Sequence, residues 1–239
     1  MRVDKLLSNS GYGSRKEVKS LLKAKTVTVN GHVIRDGKIQ IDPDTDKIEV
    51  NRKEVNYEKY IYLMMNKPPG YLSATKDAHD QTVIDLLSGE AKRFEPFPVG
   101  RLDKDTEGLL LLTNDGQLAH ELTSPKKDVK KEYAATIDGE VTEEHIKLFQ
   151  EGITLKDGYH ARPAGLEVIK NGEPSEVLVT ITEGKFHQVK RMFEAVNRKV
   201  LYLKRLKMGE LHLDASLGLG EYRVLTQEEK NYCLSMRPK

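Results

Sequence analysis

Three charged side chains, Arg101, Asp103 and Asp105, alternate along the stretch GRLDKDTEGLLLLTND at residues 100–115. If the backbone is extended there, side chains two residues apart share a face, so all three point the same way. An ionised carboxylate can act as a nucleophile or as a base, and a nearby cation helps to keep it charged. The alternative is a surface turn whose charges are merely solvated. Arg101 favours the chemical interpretation, because an Arg beside an Asp just before a core strand is uncommon in such turns.

The segment after these residues predicts a rigid support for them. Leu109–Leu112 form an unbroken apolar run, which is typical of a strand buried on both faces. Asn114, Asp115 and Gly116 then supply residues that favour a turn. A reactive loop would therefore be mounted on a core strand, which is the layout that a catalytic site needs.

Length, charge and cysteine content limit the classes of protein. A chain of 239 residues with a net charge of +2 can form one or two domains, and no apolar run approaches the ~20 residues of a membrane span. Cys233 is the single cysteine, which excludes an internal disulfide and indicates a reducing, cytoplasmic setting. The seven histidines include no pair at metal-ligand spacing, so we expect no metal site.

Positive charge is concentrated near the N-terminus. Residues 1–38 contain nine Lys or Arg residues and three acidic ones, which is the pattern expected of a surface that contacts a phosphate backbone. Ser14 and Glu17 form a capping box at the start of a predicted helix. The basic side chains fall largely on the face opposite its apolar stripe. The predicted phosphate contacts are Arg15, Lys16, Lys19, Lys23 and Arg35.

A hairpin follows two predicted N-terminal helices. Thr26–Val29 alternate as a strand, and Asn30-Gly31 is a strong turn signal because both positions need positive φ. Two helices followed by a VNG hairpin with basic flanks resemble the S-four-like (alpha-L) RNA-binding module, over about Met1–Val50. That resemblance implies that the second helix and the hairpin present basic side chains to structured RNA. We assign this module, with a polar linker at its end, to residues 1–58.

Residues 59–239 are predicted to form a second domain. It begins with a core strand, YIYLMM at 60–65, which ends at the rigid sequence NKPPG. Lys67 lies at this strand end, so we expect it to bind substrate or to support the residues that do. Further strands and helices, including helices at 82–87 and 117–122, follow in an order that does not alternate regularly. The predicted fold class is therefore α+β with a mainly antiparallel sheet.

Two further basic segments lie in this domain. Lys126, Lys127, Lys130 and Lys131 form a loop that is either solvated or in contact with phosphate. The second segment, EGKFHQVKRM at 183–192, predicts a helix that begins near Phe186 and has an apolar stripe. Lys190 and Arg191 lie off that stripe and are able to face a site.

Three separated motifs carry a family resemblance: NKPPGY at 66–71, GRLDKDTEGLLLLTNDG at 100–116 and EGKFHQVKRMFEAV at 183–196. In this order and at this spacing they resemble the signature set of the pseudouridine synthases, over nearly the whole chain. The S-four-like module and the wording of the third motif resemble the RsuA-type branch, which acts on small-subunit (16S) ribosomal RNA. The resemblance implies that uracil is detached from its ribose, rotated and rejoined through carbon, with no cofactor.

The resemblance also implies roles for individual residues. Asp103 matches the essential aspartate, which either attacks the anomeric carbon of the ribose or removes a ribose proton. Lys190 is the implied cation beside it, with Arg191 as the alternative. Tyr133 matches the active-site tyrosine, which stacks on the target uracil or takes part in proton transfer. Arg101 is expected to fill the gap left by a flipped-out uridine or to hold a phosphate.

Competing interpretations stay open on the sequence alone. The same reaction on large-subunit (23S) ribosomal RNA is one, because those branches share most of these motifs. A non-catalytic rRNA-binding assembly factor is another, although the intact trio Arg101-Leu102-Asp103 argues against it. A carboxylate-dependent hydrolase would need a second acid, for which Asp105 is available, but would leave the basic module without a use. We expect a cytoplasmic monomer that acts on ribosomal RNA or on a small-subunit precursor particle.

Overall fold

The computed structural model describes residues 1–55 and 57–237. Contacts separate the chain into two compact units, Met1–Ile61 with Leu87–Glu95, and Tyr62–Leu86 with Pro96–Lys239. The segment Leu87–Glu95 therefore groups with the first unit, although the sequence predicts that residues 59–239 form the second. Residue 56 of the predicted linker lies outside the described residues. None of the helices in the described part of the chain is long and apolar enough to cross a membrane.

Two short helices open the first unit. Helix α1 (Val3–Asn9) and helix α2 (Arg15–Lys23) each bury their apolar residues. The predicted capping box is present at α2, where Ser14 Oγ accepts the Glu17 N–H and the Glu17 carboxylate accepts the Ser14 N–H at 2.6 Å. A cap of this kind contributes about 1 kcal/mol to helix stability. The capping box thus determines where α2 begins, and the basic face of α2 is exposed to solvent.

A four-stranded antiparallel sheet lies in the same unit, with the order β2-β1-β3-β4. Its strands are β1 (Val27–Val29), β2 (His32–Val33), β3 (Ile48–Val50) and β4 (Lys53–Glu54). The predicted hairpin turn is confirmed by φ values of 51° at Asn30 and 80° at Gly31. Strand β4 lies in the segment predicted to be linker, because Asn51 and Arg52 also take positive φ and turn the chain back onto β3. A short helix α3 (Gly89–Lys92) belongs to this unit as well.

The second unit is built on a sheet of nine described strands. They are β5 (Tyr62–Lys67), β6 (Phe97–Pro98), β7 (Glu107–Thr113), β8 (Lys131–Ile137), β9 (Gly165–Lys170), β10 (Ser175–Ile181), β11 (Val200–Met208), β12 (Leu211–His212) and β13 (Tyr222–Val224). The order is β13-β5-β7-β11-β8-β10-β9, with β6 beside β7 and β12 beside β11. Neighbours are antiparallel except for the β7–β11 pair. The predicted α+β class with a mainly antiparallel sheet is confirmed.

Strand β7 lies near the middle of this sheet, between β5 and β11. Leu109–Leu112 are at most 4% exposed, as their unbroken apolar run predicts. Gly108 lies where β11 comes alongside the start of β7, with φ +102°, and a Cβ there would lie 2.2 Å from the carbonyl oxygen of Arg205. Only glycine permits this approach. The predicted reactive loop is therefore followed directly by a strand that is hydrogen-bonded to β5 on one side and to β11 on the other.

Four helices pack with the sheet: α4 (Gly116–Thr123), α5 (Glu143–Glu151), α6 (Gln188–Ala195) and α7 (Gln227–Ser235), with a 3-10 turn at Pro125–Lys127. Helix α6 buries Val189, Met192 and Phe193, as its apolar stripe predicts. The ring of Phe193 packs against Phe149 of α5 with 4.8 Å between centroids. This packing fixes the rotation of α6 and hence the direction in which its basic residues point.

Three local predictions differ from the structure. Residues 82–87 form turns and not a helix, because the Thr82 N–H and hydroxyl both donate to the Asp85 carboxylate and stabilise a local turn. Residues 101–106 form a loop closed by a hydrogen bond from the Thr106 N–H to the Asp103 carbonyl at 3.1 Å, and not an extended segment. Asp103 and Asp105 nevertheless both contact Lys190. Strand β9 was not predicted, because a mostly exposed edge strand has a weak hydrophobic pattern.

Candidate active site

The loop that carries Asp103 is held from beneath by the buried amine of Lys67. This side chain is 0% exposed at the end of β5. Its Nζ lies within hydrogen-bond distance, 2.9 to 3.3 Å, of four main-chain carbonyl oxygens, those of Pro68, Asp103, Lys104 and Thr106, which share its three N–H donors. Burial lowers the pKa of Lys67 to about 8, although the carboxylates of Asp105 and Asp103 act in the opposite direction. Its burial and these contacts favour the supporting role expected for Lys67 over the substrate-binding one.

Two contacts from the chain just after Lys67 fix the same loop. The Gly70 N–H donates to the Lys104 carbonyl at 2.7 Å. Buried Ser73 exchanges two hydrogen bonds with the Leu102 peptide, since its hydroxyl donates to the carbonyl and accepts from the N–H, each at 3.0 Å. The segment after Lys67 and the loop that carries Asp103 are therefore joined by one main-chain hydrogen bond and two from the Ser73 side chain. Ser73 was missed by sequence reasoning, because a single Ser in a polar stretch gives no signal.

Lys190 joins the two carboxylates of the loop. Its Nζ lies 3.2 Å from Asp103 Oδ2 and 2.6 Å from Asp105 Oδ1. Burial disfavours the charged amine, but the hydrogen bonds to Asp105 and Asp103 outweigh it and raise the pKa of Lys190. The hydrogen bond from Lys190 in turn lowers the pKa of Asp105. The Lys190–Asp105 pair is thus charged at neutral pH, and the ammonium meets each carboxylate through a single contact.

His187 contacts the other oxygen of the Asp103 carboxylate, with Nε2 3.5 Å from Oδ1. It precedes α6 in the left-handed conformation, at φ 49°, which is uncommon for a residue other than glycine. The turn around it is braced by Gln188, whose Nε2 donates to Glu183 Oε1 at 2.6 Å and whose Oε1 accepts the Lys185 N–H at 2.9 Å. Glu183 and Gln188 therefore determine where His187 stands, a role that sequence reasoning did not assign.

Asp103, Lys190 and Tyr133 line one small cavity of about 60 Å³. Tyr133 lies on β8 and is 7% exposed, opposite Arg205 on β11. Asp103 also lines a larger, open cavity of about 380 Å³ together with Arg101 and His187. That volume falls within the roughly 300–1,000 Å³ of ordinary ligand clefts. The structure thus brings together the three residues that the sequence predicts to be catalytic.

An aromatic surface lies at the rim of the larger cavity. The ring of Phe186 stacks on the imidazole of His187, with 3.8 Å between centroids and 17° between planes. Phe186 is nevertheless 70% exposed, so one ring face is open to solvent. Exposed aromatic faces are the groups on which single-stranded nucleic acids stack their bases.

Arg191 and Arg101 occupy different places from Lys190. Arg191 forms an ion pair with Asp157 and donates to the Phe186 carbonyl at 3.3 Å. It points away from Asp103, because successive residues of an α-helix project about 100° apart. The expectation that Arg191 contacts substrate or replaces Lys190 is therefore not supported by its position. Arg101 is exposed and lines the larger cavity, as a residue that meets substrate must.

In the first unit, the predicted phosphate contacts share one property. All five side chains are exposed: Arg15, Lys16, Lys19, Lys23 and Arg35. Four of them lie on α2, whose buried residues Val18 and Leu22 face the core of that unit. The charge predicted from sequence is therefore presented to solvent.

Comparison with known proteins agrees with this arrangement. A model of the RNA pseudouridylate synthase family matches residues 61–195, which is more than half of the chain. The chain belongs to that family. The S4 domain matches residues 1–48 of this synthase, where the S-four-like module was predicted.

Relatives of this synthase match over almost their whole length. The Bacillus subtilis (strain 168) protein YtzG, named as an RNA pseudouridine synthase, is 55% identical over 230 residues, covering 96% of each chain. The Ribosomal small subunit pseudouridine synthase A of Escherichia coli (strain K12) is 38% identical, covering 96% of this chain and 98% of its own. A crystal structure of a pseudouridylate synthase is 36% identical, with a TM-score of 0.69 over 98% of this chain and 99% of that one.

In this synthase the site supplies a defined set of chemical groups. The carboxylate of Asp103 lines a cavity together with the ring of Tyr133 and the side chain of Lys190, whose ammonium contacts that carboxylate. The loop beneath is fixed by main-chain hydrogen bonds, which hold the carboxylate in place before substrate arrives. Such an arrangement suits attack on, or proton removal from, the sugar of a nucleoside whose base lies against the ring.

Proposed function

We propose that this chain converts a specific uridine of small-subunit (16S) ribosomal RNA to pseudouridine, with Asp103 as the essential carboxylate. One observation carries the proposal: Asp103, Lys190 and Tyr133 line a single cavity. The RNA class is inferred from relatives named Ribosomal small subunit pseudouridine synthase A, which are 40% identical in Yersinia pestis and 38% identical in Escherichia coli.

The reaction conserves the atoms of the nucleotide. The bond between ribose C1′ and uracil N1 breaks, a bond between C1′ and C5 forms, the proton on C5 leaves and N1 gains a proton. Asp103 begins this sequence either by attack of its carboxylate on C1′ or by removal of a ribose proton. In both routes Lys190 lies 3.2 Å from the Asp103 carboxylate and helps to hold it in place. Tyr133 stacks on the uracil while it turns.

The target uridine must leave its stack to reach Asp103, because an enzyme cannot reach the reacting atoms of a base that stays inside a duplex. Flipping a base costs a few kcal/mol, and less for a base that is already unpaired. A uridine that is unpaired in a loop or bulge of folded RNA therefore suits this site. Arg101, at the mouth of the cavity, takes the space that the uridine leaves or holds its phosphate.

The first unit binds structured RNA through its basic surface. Its exposed cations can neutralise phosphates without reading bases, which fixes the register of a folded RNA on the protein. These are Arg15, Lys16, Lys19, Lys23 and Arg35. We propose a cytoplasmic monomer that acts on ribosomal RNA or on a small-subunit precursor particle.

Mapping pseudouridine in ribosomal RNA tests this function. We expect cells without the gene to lack pseudouridine at one position of small-subunit RNA, and the wild-type gene to restore it. A copy that carries Asp103→Asn should be expressed and should not restore it. Loss of a position in large-subunit RNA would assign the enzyme to that substrate, and an unchanged map would contradict a catalytic role in ribosomal RNA.

A further inference from the structure

Another cavity, of about 300 Å³, adjoins the larger of the two cavities that Asp103 lines. The two share three lining residues, Arg101, Gly184 and Lys185. Neither Asp103 nor Tyr133 is among the residues that line the cavity of about 300 Å³. It is therefore a separate compartment beside the candidate active site, reached past the same exposed arginine.

Two buried cations form part of the lining of this compartment. Lys131 is 9% exposed and Arg205 is 2% exposed. Lys131 Nζ donates to the Val129 carbonyl at 2.9 Å, and Arg205 Nε donates to the Leu109 carbonyl at 2.8 Å. Arg205 Nη2 is buried and has no acceptor among the described residues. A guanidinium in this state lacks one of the partners that buried charges normally have.

The charges around the compartment are mostly of one sign. Its described lining contains one carboxylate, Glu183, and five cations, which are Arg101, Lys131, Arg162, Lys185 and Arg205. Both oxygens of Glu183 already accept hydrogen bonds, from the Gln188 amide, the Arg162 N–H and the Tyr159 hydroxyl. Burial and the neighbouring Arg205 guanidinium lower the pKa of Lys131 to about 8. The carboxylate of Asp128 acts against that lowering but is not part of the described lining. Because Arg205 Nη2 has no acceptor among the described residues, the compartment is suited to an anion.

We propose that this compartment binds a phosphate group between Lys131, Arg205 and the cations of its rim. Phosphate offers several oxygens to a guanidinium and an ammonium at once, which makes charge-assisted hydrogen bonds. The compartment shares Arg101 with the Asp103 cavity, so we assign the phosphate to the RNA strand that carries the target uridine, a step that rests on the proposed function. The proposal favours the phosphate interpretation for Lys131 of the basic segment, because Lys131 lines the compartment whereas Lys130 is exposed.

A thermal-shift titration with inorganic phosphate tests the site without RNA or activity. We expect phosphate to raise the Tm of the wild-type chain by about 2–4 °C over sodium chloride of equal ionic strength. Lys131→Gln should lose that increment, and Lys130→Gln, a neighbouring exposed lysine, should keep it. Lys185→Gln should reduce it, which provides a second variant if Lys131→Gln folds poorly. Equal shifts in phosphate and chloride for the wild type would overturn the site.

Binding of RNA oligonucleotides with single methylphosphonate linkages identifies the source of the phosphate. Neutralising one linkage near the target uridine should weaken binding to the wild type by about tenfold and leave binding to Lys131→Gln unchanged. A phosphate-specific Tm rise with equal methylphosphonate effects in both proteins would keep the site and assign it to free phosphate. Failure of the chain to bind any RNA would remove the proposed function while the titration still reports on the compartment.

Discussion

The amine of Lys67 lies 3.1 Å from the main-chain carbonyl oxygen of Asp103, while the side chain of Asp103 points to Lys190. The main chain of Asp103 is thus held by one lysine and its side chain by another. Lys67 is fully buried and fixes the backbone, whereas Lys190 stabilises the charge. The position of the carboxylate therefore depends on a side chain that is buried beneath the loop.

Replacing Lys67 by Met should release the loop and slow the reaction. A misplacement of about 1 Å in a catalytic group can lower the rate 10²-fold, so we expect kcat to fall by one to two orders of magnitude while RNA affinity changes little. Single-turnover kinetics and a filter-binding Kd measure the two quantities. Lys104→Met is the matched control, because Lys104 is in the same loop but its amine pairs with Asp80 at the surface. An unchanged kcat in Lys67→Met would show that the amine does not position Asp103.

Variants of the adjacent residues Lys190 and Arg191 test which cation acts on Asp103. Lys190→Met should lower kcat by about 10- to 100-fold, because a hydrogen bond to a charged group is worth about 1.5–3 kcal/mol. Lys190→Arg should recover part of that loss. Arg191→Gln should keep near-normal kcat, since Arg191 pairs with Asp157 and not with Asp103. Equal losses for the two positions, measured under saturating RNA, would contradict the assignment of the cation to Lys190.

The exposed ring of Phe186 should contribute to RNA affinity. Base stacking on an aromatic side chain contributes about 1–3 kcal/mol, so Phe186→Ala should raise the Kd for a target oligonucleotide about 5- to 100-fold. Phe186→Tyr should retain affinity because it keeps the ring. The control is Ile169→Ala, another exposed apolar residue of the same unit at 56% exposure. A Kd for Phe186→Ala equal to that of the control would exclude stacking there.

Lys131 should give the protein a measurable pH dependence of stability. Its pKa is about 8 in the folded chain and about 10.4 in an unfolded one, so the unfolded state binds more protons between these values. The stability of the wild type relative to Lys131→Gln should therefore rise as pH increases from 8 to 10, by about 1–3 kcal/mol. Below pH 8 the cost of the buried charge is fully present and the difference should be constant. Urea unfolding of both proteins at pH 7.5 and pH 10 measures it, and a difference independent of pH would contradict the buried charge.

Elements with a strong local signal were predictable from the sequence. The capping box at Ser14, the Asn30-Gly31 turn and the apolar run of β7 each specify their structure within a few residues. The stripe on α6 also predicted correctly that Val189 and Met192 would be buried. In each case, local chemistry and the period of the pattern point to the same conformation.

The contacts that complete the site depend on tertiary structure and left no local signal. Ser73 becomes important only because it meets the Leu102 peptide, 29 residues along the chain. The difference between Lys190 and Arg191 depends on the rotation of α6, which is set by packing against Phe149. The turns at 82–87 form because the Asp85 side chain bonds Thr82, a competition that apolar spacing does not reveal.

Release of tritium from the C5 position of uridine in small-subunit ribosomal RNA tests the role of Asp103 most directly. Asp103→Asn should release none above an enzyme-free control while its Kd for RNA stays within about twofold of the wild type. Asp105→Asn should retain turnover within about tenfold, because the Asp105 side chain is 74% exposed and only shares Lys190. Turnover near the wild-type rate in Asp103→Asn would contradict the account.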